Sequence, residues 1–87
     1  MMPMDDLNRT AVRGLLADAE QALALTDFEE ACGNAEIVEL TIAMARRNYI
    51  DLMRRSRPLL LSESEQRAFF SILERIKARL DLLGAPL

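Results

Sequence analysis

The sequence predicts an all-α protein: a three-helix up-down-up bundle whose second and third helices form an antiparallel hairpin. Three observations carry that expectation. Apolar residues recur at spacings of three and four along the chain, and no segment keeps the strict alternation of a half-buried strand. Capping signals and one internal proline divide the chain into three helical stretches. Only three glycines and three prolines occur in 87 residues, too few for the turns of a sheet-rich fold. One helical domain over residues 1–87 is expected, with helices at about 5–32, 35–56 and 63–83.

The first helix is expected to start near Asp5 or Asp6, whose carboxylates suit the positive end of the helix dipole. Val12, Leu16, Ala19 and Leu23 form its stripe, widened by Leu15 and Ala22. Two endings compete. Thr26-Asp27-Phe28-Glu29 has the form of a capping box, which would open a new helix at Asp27. Gly33-Asn34 instead has the form of a C′ glycine followed by an Asn N-cap, which carries the first helix to about Cys32. The second ending is preferred. Thr26 inside a helix costs a few tenths of a kcal/mol, whereas Gly33 there costs about 1 kcal/mol.

The second helix runs from about Ala35 to Ser56, ended by Pro58, which disfavours helical geometry at Arg57. Val38, Ile42, Ala45, Tyr49 and Leu52 form its main stripe, with Met53 beside it. Ile37, Leu40 and Met44 form a second stripe, more than about 100° around the helix. A segment apolar on two sides lies between two helices, or between one helix and a partner chain. Leu59-Leu60-Leu61 is an apolar connector. Ser62-Glu63-Ser64-Glu65 is a capping box for the third helix. That helix carries Phe69, Leu73, Ile76, Leu80 and Leu83 in phase, flanked by Ile72, and ends at Gly84 and Pro86.

Size and charge bound the function. A core of 87 residues and 9.8 kDa is marginal alone, so dimerisation is expected to complete it. Histidine and tryptophan are absent and Cys32 is the one cysteine. That excludes His-based acid–base catalysis, a Cys/His zinc site and an internal disulfide. Cys32 lies among glutamates near a helix C-terminus, where a thiolate is disfavoured. Glu29, Glu30, Glu36 and Glu39 lack the His partners of a helical carboxylate metal site, and no Asp-rich loop suits Mg²⁺ or Ca²⁺. No catalytic residue, cofactor or metal is therefore expected. The acidic start and the lack of any long apolar run point to a reducing cytoplasm, with no signal peptide or membrane span.

The net charge of −3 argues against nucleic acid as the main partner, but it is unevenly spread. Residues 1–45 hold nine acids and two bases (−7), while residues 46–87 hold five acids and nine bases (+4). Arg46, Arg47, Arg54 and Arg57 fall within roughly one quadrant of the second helix, a stripe suited to an anion or an acidic partner. Arg55 belongs to the same basic cluster. The preferred reading of the stripe is a solvated face favoured by the helix dipole, with some interhelix salt bridges. Ile37, Leu40, Met44, Leu59, Leu60 and Phe70 are the candidate interface.

Ala45-Arg46-Arg47-Asn48-Tyr49, Leu61, Glu65, Leu73, Ala78-Arg79-Leu80 and Leu83-Gly84 together resemble a class of short bacterial helical-hairpin proteins without an assigned activity. The resemblance covers residues 45–84 and implies a fold, not a function. In size, acidity and hairpin the chain is also similar to bacterial flagellar secretion chaperones, an analogy of architecture. The expected function is a small non-catalytic interaction module, adaptor-like or chaperone-like, that self-associates as a homodimer. The competing expectation is a binder of nucleic acid or anionic surfaces through the Arg46–Arg57 stripe.

Overall fold

The computed structural model describes residues 3–32 and 34–84, with side chains for residues 6–26 and 34–84. It is all-α: α1 (Pro3–Cys32), α2 (Ala35–Ser56) and α3 (Glu63–Leu82) pack together, and no strand occurs among the described residues. The molecule is narrow, 51 × 18 × 18 Å, its long axis little more than the roughly 45 Å of a thirty-residue helix. Both α2 and α3 pack against α1 more extensively than against each other.

Helix α1 begins at Pro3, two residues before the expected start. Proline suits a first turn, where its missing N–H leaves no bond unmade. Asp6 therefore lies inside the opening turns. The helix then passes straight through Thr26. The Thr26 hydroxyl is buried and donates to the Leu23 carbonyl at 2.6 Å, so it bonds back into its own helix instead of capping a new one. The next cap is Asn34, whose Oδ1 accepts from the N–H groups of Glu36 (3.0 Å) and Ile37 (3.2 Å). Gly33 and Pro86, and the side chains of Asp5, Asp27, Phe28, Glu29, Glu30 and Cys32, lie outside the described residues.

Helix α2 stops at Ser56, but for a different reason than expected. Arg57 keeps helical angles (φ −57°, ψ −47°); the break comes from Pro58 itself, which has no N–H to give and whose ring opposes another turn. The connector then alternates. Leu59 and Leu61 pack against the core, while the Leu60 side chain is 81% exposed. Ser62 caps α3 in a complete capping box: its hydroxyl accepts from the Glu65 N–H (3.2 Å), and the Glu65 carboxylate accepts from the Ser62 N–H (2.8 Å). The chain leaves α3 through Gly84 at φ +79°, left-handed geometry that suits a C′ glycine.

Leu15, Ala19, Ala22, Ala45, Leu52, Phe69, Leu73, Ile76 and Leu80 make one buried cluster. Leu15, Phe69, Ile76 and Leu80 are fully enclosed, each burial contributing about 1.5–3 kcal/mol. The α3 stripe is the expected one. On α1 and α2 the buried line is displaced. Leu16, Leu23, Ile42 and Tyr49 are only half-buried, and Thr26 and Thr41 are enclosed instead. The facing residues explain this. Ala22 and Thr26 share the α1–α2 seam with Thr41 and Ala45, and small side chains set how closely two helices approach. Leu23 turns instead toward Arg75, Ala78, Arg79 and Leu82 of α3.

Candidate functional site

The α1–α2 seam is open on one side, where no α3 residue reaches it. Its groove is lined by Ala22, Leu25, Thr26, Thr41, Met44, Ala45 and Asn48, and it continues past Asp18, Gln21, Asp51 and Arg55. The first stretch is mainly apolar and the second is charged. In the charged stretch, an Arg55 Nη donates to Asp18 across the seam at 2.9 Å and lies 3.7 Å from Asp51, one turn back. This pair joins the acidic half of the chain to the basic half. Both side chains are substantially exposed, so solvent screens the attraction.

Of the candidate interface, Ile37, Leu40 and Met44 remain at the surface, with Leu40 61% exposed. Met44 forms one wall of the groove opposite Leu25. Leu60 and Phe70 are exposed as well, the Phe70 ring centroid 5.8 Å from that of Phe69. Leu59 is the exception. It packs against the core and offers little to a partner. The six do not form one patch: Ile37, Leu40 and Met44 share α2, Leu60 sits on the connector, and Phe70 on α3. Leu25 was missed by the sequence reading, although it follows Asp18 by seven residues on one side of α1. Ile50, 55% exposed among the arginines of α2, was missed too.

The basic stripe has two kinds of member. Arg47, Arg54 and Arg57 are exposed and form no ion pair among the described residues. They border shallow depressions around Ile50, one shared with Tyr49 and Met53, the other with Asn48 and Asp51. Arg46 is exposed but engaged in an interaction of its own. Arg55, the fifth basic residue of the cluster, is held by Asp18 and Asp51.

Among the described residues, no three His, Cys, Asp or Glu side chains are grouped to hold a metal ion. Among the described residues one carboxylate has a shifted pKa, and its role is structural. The Ser62 backbone N–H, and secondarily its hydroxyl, hold the Glu65 pKa below the usual value. No described helix is long and apolar enough to cross a membrane.

No family model, curated protein or solved structure matches the chain.

Proposed function

We propose that the protein is a small non-catalytic interaction module, adaptor-like or chaperone-like, that self-associates as a dimer. The observation that carries this reading is the exposure of Ile37, Leu40 and Met44 beside Leu25, after all three helices have packed. In a bundle this thin, a row of large apolar side chains left on the middle helix favours a shared surface over a solvated one. An up-down-up course with an α2–α3 hairpin fits the pairings along the seam. Asn8 near the start of α1 meets Leu60 beyond the end of α2, Asp18 meets Arg55, and Thr26 shares the groove with Thr41. A lone cysteine is consistent with a reducing cytoplasm. Sedimentation of the purified chain at tens of micromolar tests the proposal: a mass twice 9.8 kDa is expected, and a monodisperse monomer refutes self-association.

The second reading is a binder of nucleic acid or anionic surfaces, favoured by Arg47, Arg54 and Arg57 standing without ion pairs among the described residues. It predicts low-salt binding that weakens steeply as salt is added. No shift in a low-salt gel or vesicle assay removes it.

A further inference from the structure

We propose that the outward face of α2 is self-complementary and takes a second copy of this chain, antiparallel to the first. In that arrangement Glu36 and Glu39 of each copy pair with Arg54 and Arg57 of the other. The inference rests on the self-association reading but places the contact on a neighbouring face of α2, roughly 100° around the helix from the row of Ile37, Leu40 and Met44.

Glu36 and Arg54 are eighteen residues apart, and so are Glu39 and Arg57. Eighteen residues are five turns of an α-helix, about 27 Å. Each glutamate therefore stands on the same line along α2 as its arginine, acid at the N-terminal end and base at the C-terminal end. All four side chains are exposed. Between the two lines lie Ala43 and Ile50, seven residues apart and nearly in phase. Ile50 is 55% exposed, and Ala43, exposed as well, carries only a methyl group.

Turning a second copy end over end reverses the order of charges. Each acidic end then lies over a basic end, giving four Glu–Arg pairs. Ile50 of each copy falls over Ala43 of the other. One two-fold axis, passing near Arg46 and Arg47, serves all three sets, because the midpoints of 36/54, 39/57 and 43/50 cluster around those residues. This is the property an isologous interface requires: one patch that complements itself. It also names the acidic partner of the arginine stripe. The protein carries the matching acids on the same helix face, at the matching distance, and its net charge of −3 disfavours a polyanion in their place. Arg47 borders the axis, where like charges from the two copies oppose each other.

Charge reversal tests the pairing. The variants E36R/E39R and R54E/R57E are compared with the wild-type chain by sedimentation velocity, with helicity checked by circular dichroism. Each variant alone is expected to associate at least about tenfold more weakly than wild type, because like charges now face each other. An equal mixture of the two regains dimers, since every reversed glutamate meets a reversed arginine. Ile50→Glu, a change at an exposed position that leaves the core intact, weakens association as well and decides the matter if a charge variant fails to fold. R47Q tightens it. A wild-type dimer whose variants associate undiminished overturns the α2 geometry and leaves self-association standing. A wild-type monomer overturns both.

Discussion

The side-chain amide of Asn8 and the backbone of Leu60 hold each other in both directions. The Asn8 Nδ2 donates to the Leu60 carbonyl at 3.0 Å, and the Leu60 N–H donates to the Asn8 Oδ1 at 3.0 Å. A single side chain thereby ties the start of α1 to the connector between α2 and α3. The tie accounts for the connector's alternation: with the Leu60 backbone held toward α1, Leu59 and Leu61 pack inward and the Leu60 side chain points to solvent. Asn8→Ala should lower stability by about 1 kcal/mol, the net value of ordinary hydrogen bonds at an exposed site. Asn8→Asp should be no milder, because it puts a carboxylate against the Leu60 carbonyl. Urea unfolding followed by circular dichroism measures both.

Ser62→Ala removes the acceptor for the Glu65 N–H and should cost about 1 kcal/mol. The loss should appear as fraying at the start of α3, seen as faster amide exchange there than in the middle of the helix.

The same capping box makes part of the stability depend on pH. Folding lowers the Glu65 pKa, chiefly through the Ser62 backbone N–H, so the folded state favours the ionised carboxylate. That contribution is complete above the ordinary glutamate range and disappears as pH falls through the lowered value. Thermal unfolding of wild type and Glu65→Gln should therefore differ most at neutral pH and converge in acid. A difference that stays constant down to acid pH contradicts the assignment.

Phe69 and Ile76 are enclosed where the three helices meet. Phe69→Ala should cost about 3–5 kcal/mol and Ile76→Ala about 2–5 kcal/mol. Against a total of about 5–15 kcal/mol for a domain of ordinary stability, either loss is a large share and should lower the denaturation midpoint steeply. Phe70→Ala, one residue away but exposed, should stay within about 0.5 kcal/mol. Paired denaturation curves of the two phenylalanine variants check the contrast.

A double-mutant cycle on Asp18 and Arg55 should return a coupling of about 0.2–1 kcal/mol, declining as salt is added. The pair is short but its side chains are wet.

Much of the architecture can be read from short stretches of chain. The Asn34 and Ser62 caps, the stop at Pro58 and the left-handed exit at Gly84 are each set by a few neighbouring residues. So is the α3 stripe, where Phe69, Leu73, Ile76 and Leu80 leave little choice about which side is buried. Thr26 was harder, because its residue type suits a cap as well as a back-bond to Leu23. On the surface, Leu40 and Met44 stood out as apolar residues off the main stripe. Leu25 and Ile50 did not: Leu25 ends the apolar run Ala22-Leu23-Ala24-Leu25 beside the main stripe, and Ile50 is a single isoleucine among the arginines of α2.

Three helices, with ends near Cys32, Ser56 and Leu83, and the buried side of α3 are legible in the chain alone; α3 stops one residue earlier, at Leu82. Those features depend on backbone geometry and on residues within a turn or two of each other. Tertiary structure decided the rest: that Thr41 displaces Ile42 from the centre of the seam, that Asn8 binds Leu60, and that Asp18 meets Arg55. It also decided which arginines of α2 are left facing outward beside Ile50. Each of these is settled by a surface far away in the chain. A side chain's burial belongs to the pair of faces that meet, and one helix's periodicity describes only half of that pair.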